Sequence, residues 1–135
     1  MKKIIKVLTD ENYEEAFILI EKLTCPEKLK KDFENHLVYG MFVSNKLVGL
    51  YRLRRYKKYL QLHDLYVKQS FRHKGYGKSL LKHAEKICKK MGYKILKLWT
   101  GTRFVGKAYT FYSKCGYILI DATECNEFLF EKKIK

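Results

Sequence analysis

A basic turn containing two glycines separates an apolar run from a segment of helical spacing. The apolar run ends with Leu65, Tyr66 and Val67, and the turn and helix start include Arg72, His73, Lys74, Gly75, Tyr76, Gly77 and Lys78. Glycine lets the backbone approach a ligand closely, and the amides at a helix start attract anions together with the helix dipole. The charges of Arg72, Lys74 and Lys78 add to this attraction. The segment therefore predicts a phosphate-binding site.

Two glycines at a helix start are also explained by helix entry and close packing, so they do not by themselves identify a ligand. The spacing can still be compared with the known nucleotide-binding motifs. A dinucleotide site has a third glycine and a later acidic residue for the ribose, whereas a P-loop ends in Gly-Lys-Ser or Gly-Lys-Thr. The turn has neither pattern. Both kinds of nucleotide site are therefore excluded.

The spacing of apolar residues predicts the elements that position this turn. Strands are predicted for residues 3–8, 38–43, 47–56, 60–67, 95–100, 117–121 and 127–131. Helices are predicted for residues 12–23, from Pro26 onwards, and for 76–91 and 107–114, with Asp10 as a cap and Gly92 and Gly116 as stops. Ser44, Asn45 and Lys46 predict a hairpin turn. The predicted order is β-α-α-β-β-β-α-β-α-β-β in one domain, residues 1–135.

Two ordered motifs resemble those of the GNAT superfamily of N-acetyltransferases. The first is Arg or Gln, two residues, Gly, one residue, then Gly or Ala, which Arg72, Gly75 and Gly77 match after the upstream segment 64–67. The second is the run 108–117, in which Ala, Phe-Tyr and Gly-Tyr stand at the family's spacing. The predicted element order agrees with the same family, so the resemblance extends over nearly the whole chain.

The resemblance implies a fold and a cosubstrate. The fold is a mixed α/β (α+β) architecture with a central, mostly antiparallel, twisted sheet of about seven strands, splayed strands 4 and 5, and about four flanking helices. The cosubstrate is acetyl-CoA, with no metal. Its pantetheine arm would bond to the backbone of Leu65, Tyr66 and Val67, and its pyrophosphate would rest on the amides from Arg72 to Lys78.

The resemblance also implies a reaction and candidate catalytic groups. Acetyl transfer to an amine requires a neutral amine and an acid for the departing thiolate. Tyr112 occupies the family's tyrosine position and is the candidate acid, against the alternative that it only packs on Phe111 and Tyr117. His63, Asp64 or water is the base, and side-chain alternation puts His63 and Asp64 on opposite faces of the strand. His63 is the preferred side chain because histidine titrates near neutral pH.

One position departs from the family pattern. Relatives often carry an asparagine seven positions before the tyrosine, where it contacts the cofactor, whereas this chain has Val105. Thr100, Thr102 and Arg103 are the candidates to supply the missing contact.

The net charge of +15 leaves a second class of function open. A strongly basic chain attracts polyanions, so the alternative is a nucleic-acid-binding or other polyanion-binding domain with a vestigial cofactor pocket. The basic residues are scattered, with no basic and aromatic recognition motif, which argues against specific nucleic-acid binding. A lysine-rich genome explains the scattered charge equally well.

The acceptor is expected to be an amine of a small molecule or of a protein. The acids Glu11, Glu14, Glu15, Glu27, Asp32 and Glu34 gather in the first two helices, where relatives bind acceptors, which permits a cationic amine. A homodimer through the final strands is expected only by analogy with relatives.

The expected location is the cytoplasm, without membrane association. The N-terminal apolar stretch ends at Leu8, which is too short for an export signal. No run approaches the roughly 20 apolar residues that cross a bilayer. The 4 cysteines have no zinc-type spacing, which favours reduced thiols.

Overall fold

The computed structural model describes residues 2–22, 24–101, 105–124 and 127–135. Its strands are β1 (Lys3–Val7), β2 (Val38–Val43), β3 (Lys46–Arg55), β4 (Leu60–Val67), β5 (Ile95–Gly101), β6 (Ile118–Ala122) and β7 (Glu127–Lys133). Its helices are α1 (Tyr13–Ile20), α2 (Pro26–Glu34), α3 (Tyr76–Lys90) and α4 (Val105–Lys114). This order of helices and strands confirms the prediction from hydrophobic spacing.

The strands form one 7-stranded sheet in the order β1-β2-β3-β4-β5-β7-β6. Pairing is antiparallel for β1 with β2, β2 with β3, β5 with β7 and β6 with β7. β4 and β5 run parallel, and their described ladder extends only from Leu60 opposite Leu96 to Leu62 opposite Leu98. The predicted mixed α/β fold class is confirmed.

The chain enters α1 differently from the prediction. A short 3-10 turn over Asp10–Asn12 precedes the helix; Thr9 caps this turn, and Asn12 rather than Asp10 is the N-cap of α1. The Thr9 amide and hydroxyl both donate to Asn12 Oδ1, at 3.0 and 3.3 Å. Asn12 therefore closes the turn by side-chain bonding, which the expectation of an Asp10 cap missed. Helix α1 ends at Ile20, earlier than the predicted end at Leu23, a residue outside the described ones.

The hairpin between β2 and β3 is tighter than predicted. Ser44 and Asn45 have positive φ angles of 51° and 67°, and Val43 pairs directly with Lys46. Two central residues with positive φ are typical of the type I′ turn, whose twist matches that of the flanking strands. Lys46 is therefore the first residue of β3 instead of the last residue of the turn.

Residue contacts divide the chain into two compact units, and the expectation of a single domain stays a prediction. The first unit comprises Met1–Leu53 and Asp64–Ala84. Its core is formed by buried apolar residues of α1, α2 and the strands around them, namely Leu8, Ala16, Ile20, Leu29, Phe33, Val38, Leu47 and Leu50. Burial of this apolar face holds the two short helices, which would be marginal in isolation.

The second unit comprises Arg54–His63 and Glu85–Lys135. Its buried apolar side chains include Leu60, Leu62, Cys88, Leu96, Leu98, Tyr117 and Phe130. Cys88 is 0% exposed, as expected for a cysteine on the apolar face of a helix. Helix α3 ends at Lys90, and Gly92 follows it with a φ of 88°, the left-handed conformation that favours glycine after a helix.

Candidate active site

The turn between β4 and α3 adopts a conformation that depends on Gly75. A short 3-10 turn over Gln69–Phe71 follows β4, and α3 begins at Tyr76. His73 and Gly75 have φ angles of 63° and 83°, and a Cβ added at Gly75 would meet nothing within 4 Å. The backbone of Gly75 therefore borders open space in which a ligand can approach it.

The first turn of α3 presents amides that the helix itself does not use. The first helical hydrogen bond runs from the Ser79 amide to the Gly75 carbonyl, at 3.1 Å. The amides of Tyr76, Gly77 and Lys78 precede that bond, so they have no acceptor within the helix. A 15-residue helix also places the positive end of its dipole here. These amides and the dipole are compatible with the predicted anion-binding site, which stays a prediction.

Arg72 braces the turn against β4. Its Nε donates to the Val67 carbonyl at 2.8 Å, and its guanidinium carbon lies 5.4 Å from the centre of the Tyr66 ring. These contacts link three of the predicted cofactor-binding residues, and they leave the positive charge beside the turn. Arg72 therefore helps to shape the loop. The motif alone did not indicate this structural role.

Further cations lie at the start of α3. Lys3 Nζ donates to Ser79 Oγ at 2.7 Å and lies 5.8 Å from the centre of the Tyr76 ring. Lys74 Nζ lies 5.8 Å from the centre of the Phe71 ring. His73, Lys74 and Lys78 are exposed, so their positive or titratable groups are available to an anion. The contribution of Lys3, distant in sequence, was missed.

Gly49 of β3 allows close approach to the predicted pantetheine-binding strand. A Cβ at this position would lie 2.9 Å from the Tyr66 carbonyl oxygen and 3.0 Å from Leu80 Cδ1. The neighbouring Val48 carbonyl accepts a 2.7 Å bond from the Lys68 amide. These contacts hold the half-buried residues Leu65, Tyr66 and Val67 close to β3. No local motif distinguishes Gly49, which is why sequence reasoning overlooked it.

Tyr112 lies in the second unit, on α4, among aromatic rings. Its ring centre is 5.1 Å from that of Phe111, 5.9 Å from that of Tyr117 and 5.6 Å from that of Phe130. Burial, with a smaller contribution from Cys115, raises the pKa of Tyr112 to about 12. The phenol therefore stays protonated near neutral pH, as a proton donor must, while its ring makes the packing contacts of the alternative interpretation.

A polar cluster fixes the end of α4. The Tyr117 hydroxyl donates to Glu85 Oε2 at 2.9 Å, and Lys132 Nζ donates to Glu85 Oε1 at 3.1 Å. Lys132 Nζ also donates to the Cys115 carbonyl at 2.8 Å, next to Gly116 with its φ of 92°. Glu85 and Lys132 were not singled out from the sequence, because their partners come from distant elements.

His63 and Asp64 have different surroundings on β4. His63 belongs to the second unit and is half-buried. Asp64 belongs to the first unit, and its Oδ2 accepts from Arg52 Nε at 2.7 Å and lies 2.5 Å from Arg52 Nη2. The Asp64 carboxylate is therefore engaged in an ion pair with β3, which weakens its candidacy as a base and leaves His63 or water.

Of the candidates for replacing the family asparagine, Thr100 lies within the described residues. Thr102 and Arg103 lie outside the described residues, as does the side chain of Val105. Thr100 is in β5, opposite Phe128 of β7. The residue that supplies this cofactor contact remains a prediction.

A cavity of about 600 Å³ lies beside α1 and α2 in the first unit. It is lined by Asp10, Tyr13, Pro26, Glu27, Lys30, Phe33 and Glu34. Three carboxylates against one ammonium make its lining acidic in a chain of net charge +15. Two aromatic rings and this charge favour a cationic guest.

The described residues have neither a cluster of metal-ligand side chains nor a membrane-spanning helix. Across residues 2–22, 24–101, 105–124 and 127–135, no group of three or more His, Cys, Asp or Glu side chains is arranged to hold a metal ion. None of the helices in those ranges is long and apolar enough to cross a membrane.

The chain belongs to the acetyltransferase (GNAT) family, whose model matches residues 3–117. It is 36% identical over 97 residues to a spermidine N(1)-acetyltransferase of Thermoplasma acidophilum, covering 72% of this chain and 59% of that relative. The chain thus spans less than two thirds of the length of this relative. Family membership confirms what the two motifs indicated.

Solved structures agree with the family assignment. The PaiA N-acetyltransferase of Thermoplasma acidophilum, solved in complex with coenzyme A, matches with a TM-score of 0.79 and 25% identity, covering 98% of this chain and 99% of its own. Ard1 of Thermoplasma volcanium matches with a TM-score of 0.85 and 16% identity over 100% and 99% of the two chains. The second likeness supports the fold alone.

Proposed function

We propose that this chain is an N-acetyltransferase that transfers an acetyl group from acetyl-CoA to a primary amine by direct attack in a ternary complex. The observation that carries this proposal is the start of α3, where the amides of Tyr76, Gly77 and Lys78 are not used by the helix and directly follow Gly75, whose added Cβ would meet nothing within 4 Å. Membership in the acetyltransferase (GNAT) family supports it.

The donor set at this turn fits the pyrophosphate of coenzyme A. Backbone amides and a helix dipole favour a diphosphate, and the exposed side chains of Lys74 and Lys78 add positive charge. The backbone of Leu65, Tyr66 and Val67 would bond to the pantetheine arm. When bound, acetyl-CoA supplies an activated acetyl group as a thioester. The chain has to hold it, admit a neutral amine and move protons.

Tyr112 is the proposed acid, donating its hydroxyl proton to the departing sulfur. Burial raises the pKa of Tyr112 to about 12, so the phenol is protonated at neutral pH and its hydroxyl is a hydrogen-bond donor for the departing sulfur. His63 or water accepts the proton of the attacking amine. Asp64 is a weaker base candidate because Arg52 occupies its carboxylate.

A cationic amine of the polyamine kind is the proposed acceptor class. The cavity beside α1 and α2 carries Asp10, Glu27 and Glu34 with only Lys30 opposing them, and aromatic rings of Tyr13 and Phe33 complete the lining. Spermidine is the substrate in the name of a relative that is 36% identical over 97 residues. A protein amine is the second candidate, which an amine screen separates from the first.

The decisive experiment is calorimetric titration with acetyl-CoA and coenzyme A, followed by an amine screen. ATP and a short DNA duplex at physiological salt are the controls for general anion binding. We expect saturable one-to-one binding of both coenzyme forms, then turnover with spermidine in preference to glutamate or a neutral peptide. Binding of DNA without either coenzyme would instead favour the polyanion-binding alternative.

A further inference from the structure

Arg52 is buried although it is charged. Its side chain is 1% exposed, and it is the one charged residue classed as buried within residues 2–22, 24–101, 105–124 and 127–135. Its Nη1 donates to Asp32 Oδ2 at 3.0 Å, while Nε and Nη2 lie 2.7 and 2.5 Å from Asp64 Oδ2. One guanidinium thus joins β3, in which it lies, to α2 and to β4.

Stability alone does not account for this arrangement. Removing a guanidinium and two carboxylates from water costs free energy, and apolar residues of similar volume often stabilise such a site equally well. The planar fork of arginine, in contrast, fixes the direction of each partner, which a compact ammonium cannot do. The arrangement therefore favours a role for Arg52 in fixing the positions of α2 and β4 relative to β3.

The two anchored elements carry different parts of the proposed site. Asp64 directly precedes Leu65, Tyr66 and Val67, the proposed pantetheine-binding residues. Asp32 lies on α2, and Lys30 and Glu34, each two positions from it, line the acidic cavity. Residues two apart do not share a helix face, so Asp32 anchors α2 from the side turned away from the cavity.

We propose that Arg52 is a positioning residue that holds the acceptor-lining helix α2 at a fixed distance from the cofactor-binding strand β4. This inference rests on the proposed function, and it names Arg52 as a residue that determines specificity for the acceptor. Arg52 contacts neither reactant. It acts through Asp32 on the helix that lines the acceptor cavity and through Asp64 on the strand that holds the cosubstrate.

Asp32→Asn tests the helix arm of the bridge, with Glu21→Gln as the matched control. Both variants remove one negative charge, and Glu21 is the exposed C-cap residue of α1, outside the cavity lining. We expect Asp32→Asn to raise the KM for spermidine about 10-fold and to leave the calorimetric Kd for acetyl-CoA unchanged, because misplacement affects the acceptor alone. Glu21→Gln should leave both constants unchanged.

Hydrogen exchange supplies a readout that does not depend on turnover. Amides of α2 should exchange faster in Asp32→Asn than in the wild type or in Glu21→Gln. Arg52→Lys, which keeps the charge and loses the fork, should shift KM and exchange in the same direction, and it replaces Asp32→Asn if that variant does not fold. Asp32→Glu should restore part of the lost affinity for spermidine.

The outcomes separate this inference from the proposed function. A lowered melting temperature in Asp32→Asn with unchanged α2 exchange and unchanged spermidine KM would reduce the bridge to a structural contact and overturn the inference. A wild-type protein that acetylates no amine would contradict the proposed function, whereas the exchange of α2 would still decide whether Arg52 holds that helix.

Discussion

The Tyr117 hydroxyl donates a 2.9 Å hydrogen bond to Glu85 Oε2, which links the end of α4 to α3. Burial, the Glu85 charge and this hydrogen bond together raise the pKa of Tyr117. Tyr117→Phe leaves a largely buried carboxylate without one donor, so we expect the free energy of unfolding to fall by about 1–3 kcal/mol. Urea denaturation measures it. Tyr56→Phe, at a more exposed ring, is the control and should change little; equal losses would contradict the prediction.

Gly75 and Gly92 form a matched pair at the two ends of α3. Their φ angles are 83° and 88°, and an added Cβ meets nothing within 4 Å at either position. Alanine should therefore introduce similar backbone strain, about 1 kcal/mol at each site. We expect only Gly75→Ala to raise the calorimetric Kd for coenzyme A, by about 10-fold, because its Cβ enters the space of the phosphates. Equal affinities in the two variants would place the anion elsewhere.

Gly49→Ala tests the contact between β3 and β4. The new Cβ would press on the Tyr66 carbonyl oxygen at 2.9 Å, a backbone atom that can retreat only if β4 shifts. We expect a loss of about 1–3 kcal/mol in the free energy of unfolding together with weaker coenzyme A binding. Gly40→Ala, which meets side-chain atoms of Leu8 and Leu47 at 2.6 and 2.7 Å, should lose stability and keep its affinity. Unchanged coenzyme affinity in Gly49→Ala would contradict the role assigned to this contact.

Tyr112→Phe tests the proposed acid. Removal of the hydroxyl leaves the ring packing on Phe111, Tyr117 and Phe130 in place, so the fold should persist. We expect kcat to fall about 100-fold or more, with unchanged coenzyme A affinity. Tyr109→Phe on the same helix, at a position that is 47% exposed, is the control. Retained turnover in Tyr112→Phe would remove this residue from the mechanism.

Alkaline pH should destabilise the protein through buried acids. Burial, with a smaller Glu85 contribution, raises the pKa of Cys88 to about 11, and burial raises that of Tyr112 to about 12. Both groups hold their protons more tightly in the folded state than in the unfolded state. Their contribution to the free energy of unfolding is fully present at a pH below the pKa values of the unfolded chain. It is lost as the pH rises through the pKa values of the folded protein. The free energy of unfolding should therefore fall between about pH 9 and 12.

Urea denaturation at a series of pH values checks this dependence. Cys88→Ala should flatten the decline between about pH 9 and 11, because the thiol that releases its proton only on unfolding is gone. An identical slope in the variant and the wild type would contradict the assignment of this range to Cys88.

Local patterns predicted most of the fold. The run of apolar residues predicted β4 with the bounds that the structure has. Helical spacing followed by glycine predicted α3 and its stop at Gly92, which lies two residues beyond the last helical residue, Lys90. These features depend on neighbours a few positions apart in the chain. The errors were also local: Thr9 and Asn12 close the entry to α1, and Lys46 starts β3.

The candidate site was predicted only where it is continuous in sequence. The turn from Arg72 to Lys78 was recognised because a strand, two glycines and a helix start follow one another along the chain. Gly49 and Lys3 carried no local signal. The role of each residue depends on a contact with an atom far along the chain. For Gly49 this atom is the Tyr66 carbonyl oxygen, and for Lys3 it is Ser79 Oγ.

The sequence by itself determined the family, the order of the elements and the anion-binding start of α3, because motifs and hydrophobic periods are properties of adjacent residues. Only the tertiary structure decided the partners of the charged groups. Strand alternation separated His63 from Asp64, but it did not indicate that a buried Arg52 would bind Asp64 and Asp32 together. The pairing of Arg52 depends on which distant segments pack against β3, because a buried charge is stable only beside opposite charges in the folded chain.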